Sequence, residues 1–141
     1  MIEEYFYLFV YGSLRSGFQS EAYQYISRYF TFIANAKVKG MLYDLGNYPA
    51  AIPTHLEYFI VGELYKIKNE DEFNWAIEQL DDYEGLNVEE GQTALYKRSI
   101  ANVFVENEII PAWVYWYNRS IENKPLIESG DILQYLQGKT K

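Results

Sequence analysis

Two short stretches of this chain carry residue types that can do chemistry together. Leu80-Asp81-Asp82-Tyr83-Glu84-Gly85 places carboxylates at the end of a helix-like run, and Tyr11-Gly12-Ser13-Leu14-Arg15-Ser16-Gly17 places a loop with two glycines after a hydrophobic run. A carboxylate whose pKa lies near the working pH moves protons. A glycine-bearing loop can turn successive backbone N–H groups toward one point and hold an anion without any basic side chain. The pair offers an acid/base and an anion cradle.

Helical spacing sorts the acids. Phe73, Ile77, Leu80 and Glu84 stand at offsets of four, seven and eleven, so they project within roughly 60° of one another at about 100° per residue. Glu84 therefore points the way the core residues point, Asp82 lies on the opposite side toward water, and Asp81 sits at the edge of the stripe. A carboxylate on the inward face, near the negative end of a helix dipole, has its charged form disfavoured and its pKa raised. The plainer reading makes Glu84 a half-exposed last-turn residue and Gly85 its left-handed cap.

The loop is open to several uses. It lacks the lysine followed by serine or threonine of a nucleotide phosphate loop, which favours a small carboxylate as its anion. Ser13 invites a nucleophile reading, but the single histidine, His55, falls in a separate turn-like stretch, so a serine triad would need another base. Arg15 is either a carboxylate clamp or a solvated loop charge. Glu63, in the strand-like Gly62-Glu63-Leu64-Tyr65, reads first as a satisfied or edge carboxylate.

Composition narrows the field. The 141 residues suit a single domain, 1–141, with one core. Twelve basic and twenty acidic residues give a net charge of -8, which argues against nucleic acid or an anionic membrane as partner. There is no cysteine, so disulfides, thiolate nucleophiles and cysteine metal sites are excluded, and one histidine cannot build a histidine cluster. With no targeting pattern and no apolar run of spanning length, the expectation is a soluble, cytoplasmic protein. Aromatic residues make up 18% of the chain, a composition suited to β-rich packing in which polar ring tips need hydrogen-bond partners.

The elements that must position the two stretches follow from periodicity. A continuous apolar run at 5–10 predicts a strand buried on both faces, leading into the glycine loop. Helical spacing predicts a helix over 20–30, a strand over 32–45, a turn at 46–49 and a further strand over 58–67, where Gly62 marks a bulge or close approach. A helix over 69–83 with an acidic start precedes two strands, 94–105 and 109–117, joined as a hairpin. The tail at 127–136 closes with a short helix starting near Asp131. This order predicts an α+β fold, and many short aromatic strands favour a curled, barrel-like sheet.

These residues resemble the γ-glutamylcyclotransferase-like, or AIG2-like, family. The resemblance rests on Tyr11-Gly12-Ser13-Leu14, Gly40-Met41-Leu42-Tyr43-Asp44-Leu45-Gly46 with Tyr48-Pro49-Ala50, and Val61-Gly62-Glu63-Leu64-Tyr65. It continues through the Glu84 segment, Tyr96-Lys97-Arg98 and Ala112-Trp113-Val114-Tyr115, in order over residues 6 to 117. It implies a small mixed β-barrel with flanking helices. It further implies an enzyme that cyclises a γ-glutamyl amine, amino acid or peptide to 5-oxoproline, with no cofactor and no metal. Glu84 would be the catalytic acid/base, and Tyr11, Gly12, Ser13, Leu14, Arg15, Tyr96 and Tyr115 would bind substrate.

Two departures bear on the substrate. Ser20 stands where similar loops carry asparagine, and the stretch 87–94 is longer than a minimal hairpin. The identity of the leaving group and the oligomeric state stay open. Two other readings compete with the enzyme: a non-catalytic small-molecule binding module on the same fold, and a protein-interaction domain with an exposed aromatic surface.

Overall fold

The computed structural model describes residues 5–11, 21–45, 49–83 and 96–139. Its strands are β1 (Tyr7–Val10), β2 (Phe30–Asp44), β3 (Pro49–Pro53), β4 (Phe59–Ile67), β5 (Tyr96–Val105), β6 (Glu108–Tyr117) and β7 (Leu126–Ile127). The helices are α1 (Glu21–Tyr29), α2 (Phe73–Tyr83) and α3 (Ile132–Lys139), with a 3-10 turn at Glu70–Glu72 leading into α2. The expected strand, helix, strand, helix, hairpin order is present, with β3 and β7 as additions that local periodicity does not announce.

Five strands close on themselves. β2 pairs with β4, β4 with β1, β1 with β6 in parallel, β6 with β5, and β5 returns to β2 through Lys37↔Phe104 and Val38↔Val103. The result is a small mixed β-barrel with flanking helices, an α+β architecture. Closure leaves these five strands without a free edge. The second half of β2 leaves the barrel and pairs with β3 and β7.

Glycine permits two of the tight approaches. A Cβ at Gly62 would lie 2.2 Å from the Val10 carbonyl oxygen of β1, so the close approach expected there is real. At Gly40, where β2 passes from one set of partners to the other, a Cβ would lie 2.6 Å from Ile60 Cδ1 and 3.1 Å from Trp116. The register irregularity in β2 falls between Phe32 and Ala34.

Strand alternation divides the apolar residues into two bodies. Phe9, Ala36, Val38, Ile60, Leu64, Val103, Ala112, Val114 and Trp116 fill the barrel. Leu8, Val10, Tyr65, Ile67, Tyr96, Tyr115 and Tyr117 face outward and are covered by Ile26 of α1 and by Phe73, Ala76, Ile77 and Leu80 of α2. β1 is thus buried on both faces, Leu8 and Phe9 being fully buried on opposite sides. The stripe on α2 is the one its spacing predicts, with Asn74, Trp75, Glu78, Gln79 and Asp82 exposed. α1 leans on α2 through Tyr25, whose hydroxyl donates to the Ala76 carbonyl at 3.0 Å, and through the Tyr29–Trp75 edge contact at 5.3 Å.

Candidate active site

The last described turn of α2 carries Asp81, and its surroundings are polar and closed. Asp81 is 8% exposed. Its Oδ1 accepts from Arg98 Nε at 2.7 Å and from the Tyr115 hydroxyl at 2.8 Å, while Oδ2 accepts from Arg98 Nη2 at 2.9 Å. Register explains the meeting: Arg98 on β5 and Tyr115 on β6 are directly paired and so project from the same face. The two-pronged contact fixes the plane of the carboxylate as well as its distance.

The guanidinium is held on its other side. Arg98 lies over the Trp113 ring, 4.4 Å from its centroid, and the Trp113 indole donates to the Tyr5 carbonyl at 3.0 Å. Burial alone pulls the Arg98 pKa down, but the hydrogen bond and charge of Asp81 more than offset that, and the net direction is up. Each partner supplies hydrogen-bonding groups in place of the water the other has lost.

Of the expected substrate tyrosines, Tyr115 contacts this pair directly and Tyr11 reaches it through Tyr115, whereas Tyr96 bonds elsewhere. Tyr115 is buried and donates to Asp81, and its own main-chain oxygen accepts from the Tyr11 hydroxyl. Tyr96 is buried, donates to the Pro49 carbonyl at 3.0 Å, and packs edge-on against Tyr117. The end of β1 and the end of α2 therefore reach the same residue of β6, Tyr115. The expected site residues Gly12, Ser13, Leu14, Arg15 and Glu84 lie outside the described residues.

The remaining candidates separate from this centre. Asp82 faces water, as its wheel position predicts. Glu63 lies within the central strand β4, buried, and accepts from the Tyr65 hydroxyl at 2.9 Å, so it is a satisfied core carboxylate and not an edge one. His55 is exposed in the connection between β3 and β4. Among the described residues no cluster of three or more metal-ligating side chains occurs, and no helix is long and apolar enough to cross a membrane.

Sequence reasoning placed Asp81 only at the stripe's edge and gave Arg98 no role of its own. A signal was present: Arg98 is two residues from Tyr96, so a strand that buries the tyrosine also turns the arginine to the same covered face, where it needs an anion.

Comparison with known proteins decides the kinship. The family model for gamma-glutamyl cyclotransferase, AIG2-like, matches residues 8–134. The chain belongs to this family. YtfP of Escherichia coli K12, named as a gamma-glutamylcyclotransferase family protein, is 32% identical over 133 residues, covering 89% of this chain and 95% of YtfP. YkqA from Bacillus subtilis superposes with a TM-score of 0.70 at 26% identity, over 98% of this chain but only 44% of YkqA. An AIG2-like protein from mouse superposes with a TM-score of 0.65 over 92% of this chain and 90% of its own, and at 22% identity it speaks for the fold alone. Family membership supports a gamma-glutamylcyclotransferase-like function for this AIG2-like chain.

Proposed function

We propose that the protein is a γ-glutamyl cyclotransferase acting on a γ-glutamyl amine, amino acid or peptide, with Glu84 as the acid/base. The observation that supports this most strongly is the convergence on β6. Tyr11, one residue before Gly12, and Asp81, three residues before Glu84, are both hydrogen-bonded to Tyr115. The chain therefore departs toward the cradle and toward the glutamate from one anchored place.

The chemistry needs no nucleophile from the protein. Glu84 takes a proton from the substrate α-ammonium, and the freed amine attacks the γ-carbonyl carbon, forming the ring C–N bond. Backbone N–H groups of Gly12, Ser13 and Leu14 hold the oxyanion that develops on that carbonyl. Protonated Glu84 then gives its proton to the departing nitrogen as the oxyanion collapses and the original amide bond breaks; the ring nitrogen gives up its second proton to the released amine or to water, leaving 5-oxoproline and the free amine. Because attacking and attacked groups belong to one molecule, holding the chain folded supplies much of the acceleration. Arg15 takes the substrate carboxylate, and Tyr11, Tyr96 and Tyr115 form the wall behind it.

The test is detection of 5-oxoproline by mass spectrometry from a panel of γ-glutamyl amines, amino acids and peptides. The expected result is product from the wild type and none from Glu84→Gln, with the acid limb of the rate–pH profile lost in that variant. Equal product from both would remove Glu84 from its role. Retention of a γ-glutamyl compound without turnover in both would instead identify a binding module.

A further inference from the structure

We infer that Asp81 is a positioning residue. Through Arg98, Tyr115 and Trp113 it ties the last described turn of α2 to both ends of β1, the two elements whose sequence leads on to Glu84 and to Gly12. The inference rests on the proposed function for the identity of those two segments.

The connections are continuous. From Asp81 one branch runs through the Tyr115 hydroxyl to the Tyr115 main-chain oxygen and the Tyr11 hydroxyl, at the exit of β1. The other runs through the Arg98 fork to the Trp113 ring and from its indole N–H to the Tyr5 carbonyl, ahead of β1. Between these two ties β1 and β6 are paired at Leu8↔Trp113. A buried ion pair contributes little to stability compared with well-packed apolar side chains of the same volume. What this one supplies is orientation: a forked contact and a third donor leave the carboxylate no free rotation. Reaction geometry is sensitive to displacements of that order, since a misplacement of about 1 Å can cost roughly 100-fold in rate.

Asp81→Asn is the first variant, because it keeps shape and removes the charge that holds the fork. The expected result is a kcat lower by roughly 100-fold, with KM retained and the acid limb of the pH profile unmoved. Tyr115→Phe, which deletes one hydroxyl and leaves the buried ring, should lower kcat by about tenfold in the same manner, and it replaces Asp81→Asn if that variant does not fold. An unchanged kcat in the folded variant overturns the inference. Loss of the acid limb in Asp81→Asn also overturns it, by making Asp81 itself the acid/base.

Glu84→Gln separates the two proposals, because it abolishes product without touching the lock. If the wild type makes no 5-oxoproline from any substrate, hydrogen exchange decides. Asp81→Asn should then speed exchange both in the last turn of α2 and at Val10 and Tyr11, with β3 unaffected. A change confined to α2 would overturn the link.

Discussion

The two faces of β6 come from one strand and have opposite contents. Ala112, Val114 and Trp116 point into the barrel, in one packed body with Phe9, Val38, Ile60, Leu64 and the Tyr11 ring. Trp113, Tyr115 and Tyr117 point outward under the helices, where an ion pair, tyrosine hydroxyls and main-chain oxygens are joined by hydrogen bonds. The inner face can be filled by shape alone. The outer face holds polar groups away from water, and it is stable only because each donor meets an acceptor. The difference teaches where a polar network can be built on a small barrel with an apolar filling: on its wall, with the packed interior behind it.

The largest effect should come from breaking the outer face. Asp81→Ala leaves the half-buried Arg98 guanidinium, its side chain 18% exposed, without its carboxylate partner. The expected loss is about 3–5 kcal/mol in urea denaturation. A loss below about 1 kcal/mol would show the guanidinium already solvated, as for a surface pair, and the contrast between the two faces would collapse.

A cut in the inner face should cost somewhat less and carry a different signature. Leu64 is fully buried inside the barrel, so Leu64→Ala removes its transfer energy and leaves a cavity, for about 3 kcal/mol. Turnover per folded molecule and its pH profile should stay as in the wild type. If kcat fell as it is expected to fall in Asp81→Asn, the interior would be part of the site and the division of labour would be wrong.

How much of this was legible follows from the same contrast. Alternation along 112–117 and the stripe from Phe73 to Leu80 are local patterns, so the strands, α2 and its inward face could be read directly. β3 could not: Pro49-Ala50-Ala51-Ile52-Pro53 has a proline at each end, where a ladder donor is missing, and two small alanines that give no periodic signal. β7 is two residues long and exists through its partners in β2. Barrel closure rests on Lys37 and Val38 meeting Phe104 and Val103, a pairing that no local window contains. The meeting of Asp81 with Arg98 is of the same kind, because it depends on the β5–β6 register and on where α2 lies across it. The acid on the stripe's edge was readable, but its partner was not.

The smallest effect concerns pH and belongs to the outer layer alone. Tyr25 of α1 donates its hydroxyl to the Ala76 carbonyl of α2, and burial, with the nearby Tyr29, pushes its pKa from 10.0 up to about 12. Between those values the unfolded chain has released the phenolic proton while the folded protein keeps it. Unfolding is therefore favoured as pH rises, so this contribution to stability is complete below pH 10 and declines up to about pH 12. Tyr25→Phe should lower stability slightly at neutral pH, by the lost hydrogen bond, and flatten the decline on the alkaline side. Denaturation midpoints measured across that window in both proteins supply the check. Leu64→Ala, which alters no titrating group, should run parallel to the wild type. An alkaline decline equally steep with and without the Tyr25 hydroxyl would mean that the contact between α1 and α2 does not carry it, and the outer layer's sensitivity to pH would have to arise elsewhere in the tyrosine network.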